Sequence, residues 1–116
     1  MLQKGVKKMT LAQLRYVITV AQLGTLSSAA KRLYISQPSL TSAIKELEKE
    51  LGITIFIRTN KGVILSRQGE EFLGYARQVV EQYRLIESKY IEKENVRKKF
   101  SVSMQHYSFA VQAFVE

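Results

Sequence analysis

The sequence predicts a mainly α fold: three short helices, a β-hairpin and one long final helix. Three observations carry this. Three segments before residue 52 repeat apolar residues at helical spacing. After Gly52 the period changes to two. From Phe72 onward, apolar residues recur at alternating steps of four and three.

The first helix opens at Thr10. Thr10 and Gln13 fit a capping box, and Met9 with Leu14 fits a hydrophobic staple. Leu14, Val17, Ile18 and Ala21 form the expected inward stripe, and Gly24 stops the helix. None of the three helices carries Phe, so Leu, Ile and Val are expected to fill the core. The second helix is short, with Ala29, Ala30 and Leu33 inward and Ser27 as its expected N-cap. The third is longer, with Leu40, Ile44, Leu47 and Leu51 inward. Ser36 caps it, and Pro38 lies in its first turn, where a missing N–H costs little. Ile35 and Leu40 fit a second staple, and Gly52 is the stop. A small helix followed at once by a longer one, with paired alanines allowing close approach, reads as a helix-turn-helix over 26–45.

Beyond Gly52, Ile53, Ile55 and Ile57 alternate with Thr54, Phe56 and Arg58. Thr59-Asn60-Lys61-Gly62 supplies turn chemistry, with Asn and Gly able to take positive φ. Val63-Ile64-Leu65 is the return strand. Placed after a helix-turn-helix, such a hairpin is a wing, with Arg58, Lys61 and Arg67 as its expected basic tip. Ser66 then caps a helix expected from 67 to about 94, with acids in its first turn. Phe72, Ala76, Val79, Tyr83, Ile86 and Tyr90 make its heptad seam. About 28 residues span about 42 Å, more than so small a core can cover. The seam is therefore expected to pair with a second chain, and Leu73 and Val80 to face the winged domain.

Charge is placed unevenly. Residues 1–67 hold eleven Lys or Arg against three acids, while 68–116 hold seven of each. The whole excess of +8 thus lies on the helix-turn-helix half, the footprint of a nucleic-acid-binding end. There is no Cys, which excludes disulfides and thiolate metal sites. No apolar run reaches the roughly 18 residues of a membrane span, and none follows the basic start as in a signal peptide. A cytoplasmic protein is expected. His106 is the only histidine, there is no Asp, and no Gly-rich phosphate loop is present. No catalytic, cofactor or metal site is expected.

The outer face of the third helix carries the expected chemistry. Gln37 stands at its exposed tip, where an amide can read adenine, and Ser or Thr can bond a base or phosphate. Candidate DNA-binding residues are Ser27, Ser36, Gln37, Pro38, Ser39, Thr41, Ser42 and Lys45, with Arg58, Asn60 and Lys61 on the wing.

The four expected segments are a basic leader over 1–8, a winged domain over 9–66, a dimerisation helix over 67–95, and a remainder over 96–116. In the last, Phe100 to Met104 alternates like a strand and His106 to Glu116 reads as a helix.

Residues 9–95 resemble the DNA-binding end of LysR-type transcriptional regulators. The motifs are LRYVITVAQLGTLSSAAKRLYISQPSLTSAIKELEKELG and FIRTNKGVILSRQGEEFL. The resemblance implies a winged helix-turn-helix with a dimerising linker helix, regulating bacterial genes from double-stranded DNA. It maps base reading onto Gln37, a hydroxyl contact onto Thr41, a phosphate contact onto Ser27 and the wing arginine onto Arg58. Many relatives carry Arg where this chain has Ser42. Relatives also continue into an effector domain of two α/β lobes, so a small-molecule effector is expected only of a longer form. Dimers pairing into tetramers are a further implication. The rival expectation is an interaction protein that pairs with a full-length regulator through the linker helix.

Overall fold

A computed structural model describes residues 8–92; the expected strand and helix after Phe100 lie outside them. Helices α1 (Leu11–Leu23), α2 (Leu26–Leu33) and α3 (Gln37–Leu51) precede strands β1 (Phe56–Thr59) and β2 (Gly62–Leu65). Helix α4 (Arg67–Ile86) runs into a π-helical turn, Glu87–Glu92. The fold is a winged helix-turn-helix followed by a long helix. The described residues form two units that divide between Val80 and Glu81.

The capping box of α1 closes as its residues require. Thr10 Oγ1 accepts from the Gln13 N–H (3.1 Å), and Gln13 Oε1 accepts from the Thr10 N–H (2.9 Å). Met9, expected to staple onto Leu14, is exposed, and its N–H donates to Glu50 Oε2 (3.0 Å). Gly24 ends α1 at φ 83°. The N-cap of α2 is Thr25 rather than Ser27: its hydroxyl accepts from the Ser28 N–H (3.1 Å). Ser27 thus lies inside the first turn of α2, exposed. Ser36 caps α3, accepting from the Ser39 N–H (3.1 Å), and Gly52 ends it at φ 72°.

Two small cores hold the first unit. Val20, Ala29, Ala30, Leu40 and Ile44 form one; Val17, Leu47, Ile55 and Leu73 form the other. Helix α1 lies between them, so its buried arc is wider than the expected stripe. Val20 is buried, while Ile18 and Ala21 are half-buried. Phe56, from the hairpin, packs against both cores, adding its ring to those of Tyr16 at the first and Phe72 at the second.

The strand begins later than the isoleucine alternation suggests. Ile53 and Ile55 precede β1; Ile55 is buried, Phe56 is half-buried against the cores, and Ile57 is exposed. The reason is Glu48. Its Oε2 accepts from the Ile55 N–H (2.7 Å) and the Phe56 N–H (3.2 Å), so a side chain replaces a partner strand there. β1 and β2 then pair antiparallel, with Ile57 opposite Ile64 and Thr59 opposite Gly62. Gly62 takes the positive φ of this turn, 146°, and Asn60 does not take one. Ser66 starts α4: its hydroxyl accepts from the Gly69 N–H (2.9 Å) and donates to the Thr54 carbonyl. Gly69 is needed because a Cβ there would overlap the Ile55 carbonyl oxygen.

Candidate nucleic-acid interface

Helix α3 buries Leu40, Ile44 and Leu47, which fixes its rotation about its axis. That rotation leaves Gln37, Pro38, Ser39, Ser42 and Lys45 exposed, with Thr41 half-buried. Ser36 is exposed, but its oxygen holds the cap, and its hydroxyl also bonds to Ser39 Oγ (2.9 Å). Both serines are thus part of the device that presents the helix tip.

Electrostatics on α3 follow from where its acids go. Glu48 is tied to two backbone N–H groups of the segment entering β1, and Glu50 to that of Met9. Lys45 and Lys49 stand exposed on the same helix.

In the wing, Arg58, Asn60 and Lys61 are exposed. Thr59 Oγ1 accepts from the Lys61 N–H (3.2 Å) and donates to the Gly62 carbonyl (3.2 Å), which shapes the turn. The Val63 N–H donates to the Gly24 carbonyl (2.9 Å), tying the hairpin to the end of α1. Arg67 is not at the tip, because it is the first residue of α4.

The expected seam of the long helix divides. Phe72 is half-buried against the second core, and Ala76 is only 2% exposed within its own chain. Phe72 thus faces its own domain, and Ala76 has almost no exposed surface to offer a second chain. Tyr75 and Val79 are exposed instead. In the second unit Tyr83, Ile86 and Tyr90 are exposed. Arg84 Nη2 lies 3.0 Å from Glu81 Oε2, and this guanidinium holds the Glu81 carboxyl below the usual carboxylate range, by its hydrogen bond first and its charge second.

Four residues of consequence escape sequence reading. Thr25 carries the one usable signal, a Thr directly before the helix, which competes with Ser27 for the cap. Tyr34 ends α2 at φ 60°, 93% exposed, where composition favours Gly or Asn. Glu48 and Tyr75 give no signal, since long-range partners and burial decide their roles.

Among the described residues no group of three or more His, Cys, Asp or Glu could hold a metal ion, and no helix is long and apolar enough to cross a membrane.

Comparison with known proteins places this geometry. HTH-type transcriptional regulator ClcR of Pseudomonas putida is 47% identical over 72 residues, 62% of this chain and 24% of ClcR. HTH-type transcriptional regulator BsdA of Bacillus subtilis (strain 168) is 41% identical over 76 residues, 65% of this chain and 26% of BsdA. The chain spans about a quarter of the length of the curated relatives it matches. Among solved structures, a CbnR_DBD–DNA complex aligns with TM-score 0.66 and 38% identity, covering 69% of this chain and 92% of that one. A BenM_DBD/benA site 1 DNA complex aligns with TM-score 0.66 and 34% identity, covering 69% and 93%. The family model described as bacterial regulatory helix-turn-helix protein, lysR family, matches residues 11–70. The chain belongs to the lysR family of bacterial regulatory helix-turn-helix proteins.

Proposed function

We propose that this chain binds double-stranded DNA sequence-specifically, as the DNA-binding part of a homodimeric transcriptional regulator. The observation that carries the reading is the rotation of α3, which buries Leu40, Ile44 and Leu47 and exposes Gln37, Pro38, Ser39 and Ser42. A helix presented in this way fits the major groove, with its N-terminal residues at base edges. Gln37 reads a base, Thr41 and Ser42 add hydroxyl contacts, and Ser27, Lys45 and Lys61 meet phosphates. Arg58 and Asn60 lie along the backbone or minor groove beside the wing.

The solved DNA complexes of CbnR and BenM domains support this reading, as do relatives named as transcriptional regulators. No catalytic activity is assigned to the chain. It acts in the cytoplasm, where bacterial DNA is. Two copies pair through the exposed part of α4 from Tyr75 onward, and dimers pair into tetramers on long sites. An effector is assigned only to a longer form of the protein.

The test is selection of bound duplexes from random DNA, followed by titration of the enriched site and a scrambled one. Enrichment of a two-fold symmetric site, bound at least about tenfold tighter than the scrambled duplex, is expected. Equal affinity for both duplexes overturns sequence-specific binding. Capture of a longer regulator without any DNA binding establishes the interaction-protein function in its place.

A further inference from the structure

Glu48 is the residue at which α3 is joined to the wing. Its backbone carbonyl accepts from the N–H groups of Gly52 (2.8 Å) and Ile53 (3.2 Å). Its side chain reaches further, and one oxygen, Oε2, accepts from the N–H groups of Ile55 (2.7 Å) and Phe56 (3.2 Å). Four of the five residues from Gly52 to Phe56 are thus held by Glu48, and Phe56 is the first residue of β1. Bonds from N–H groups to a carboxylate are charge-assisted and stronger than those between neutral groups. The other strand is tied elsewhere, since the Val63 N–H donates to Gly24 at the end of α1. Glu48 also has a defined place on the helix. It follows Gln37 by eleven residues. Eleven residues make close to three full turns, so the two stand on the same side of α3, about 16 Å apart along its axis.

We propose that Glu48 is a positioning residue for DNA binding: its carboxylate registers the wing against the recognition helix, so that Arg58, Asn60 and Lys61 reach the backbone while Gln37 meets a base. The inference rests on the DNA-binding reading above and adds what fixes the spacing of its two contact zones. The major groove is about 12 Å wide. With Gln37 at the base edges, an attachment about 16 Å along the helix lies past the groove, level with the sugar–phosphate backbone. An acid on such a helix would repel phosphates if it faced them freely. Here the carboxylate is engaged by two N–H groups of its own chain.

The experiment uses the whole chain, the enriched and the scrambled duplex, and several salt concentrations. The variants are Glu48→Ala, Glu48→Gln, Arg58→Ala and the double variant Glu48→Ala with Arg58→Ala. Urea unfolding sets conditions in which each is fully folded. Charge alone predicts that removing an acid beside a polyanion tightens binding, equally for Ala and Gln. Positioning predicts the opposite sign. Glu48→Ala is expected to weaken both duplexes at least about tenfold and to lower the slope of log K against log salt by about 1 per subunit, as wing cations lose their phosphates. Glu48→Gln keeps a carbonyl acceptor and is expected to recover part of the loss. In the Glu48→Ala background, Arg58→Ala is expected to cost less than about threefold, well below its cost in the intact chain, because the wing is already out of register. Tightening by Glu48→Ala, an unchanged slope, or an Arg58→Ala cost equal in the two backgrounds overturns the proposal. So does a loss confined to the enriched duplex, which would place the defect at Gln37 and leave the wing in register. If the unsubstituted chain does not distinguish the two duplexes, the sequence-specific reading fails and this inference with it. Should Glu48→Ala not fold, Glu48→Gln carries the same cycle, with a smaller coupling expected and full additivity overturning the proposal.

Discussion

Gly62 in the wing packs directly against the carbonyl of Gly24 at the end of α1. A Cβ on Gly62 would overlap that oxygen and stand 3.1 Å from Thr25 Cγ2, and φ there is 146°. Two glycines far apart in sequence therefore set how closely the wing approaches the helices. Gly62→Ala is expected to destabilise the winged domain by about 1–3 kcal/mol through overpacking and backbone strain. Gly74 in α4 has nothing within 4 Å of its virtual Cβ. Gly74→Ala is expected to stabilise by about 0.4–1 kcal/mol through reduced unfolded-state entropy. Urea unfolding of the two variants measures both. Equal and small effects would mean that the wing is not held by this approach.

Tyr34 spends stability in the turn between α2 and α3. Its left-handed backbone costs about 1–2 kcal/mol for an L-residue, and its exposed ring has little burial to offset it. Tyr34→Gly is expected to raise the unfolding midpoint, with a gain of about 0.5–1 kcal/mol after the extra entropy of glycine. A lowered midpoint would show that the ring packs on something in solution.

Glu48 joins α3 to the wing by two hydrogen bonds to backbone N–H groups. Glu48→Ala leaves those donors without their acceptor, so a loss of about 1–3 kcal/mol is expected. Glu48→Gln keeps one carbonyl acceptor and is expected to lose less. Protection of the Ile55 and Phe56 amides from exchange reports the same bonds directly. Unchanged protection in Glu48→Ala would contradict the role.

Gln37 and Arg58 are expected to separate base reading from phosphate anchoring. Gln37→Ala should cost about 1–3 kcal/mol on the preferred site and relax one position per half-site. Arg58→Ala should weaken all sequences by a similar factor. Its slope of log K against log salt should fall by about 1 per subunit. Affinities for specific and scrambled duplexes at several salt concentrations decide between them. Equal weakening of both duplexes by Gln37→Ala removes it as a reader. A loss confined to the specific duplex in Arg58→Ala would make the wing a reader of groove shape.

By itself the sequence determined what local chemistry and periodicity control. Ser36, Gly24 and Gly52 mark helix ends because capping hydroxyls and left-handed glycines act within a few residues. The stripe of Leu40, Ile44 and Leu47 fixed the inward face of α3, and with it the outward face that holds Gln37, Ser42 and Lys45. Only the tertiary structure decided what depends on partners distant along the chain. Glu48 capped the segment entering β1, so Phe56 turned toward the cores while Ile57 was left exposed. The second core claimed Leu73 and Phe72, and Ala76 was left almost without exposed surface in its own chain. A heptad spacing records that a face is apolar; whether that face meets its own domain or another molecule depends on which surface lies nearest in the folded chain.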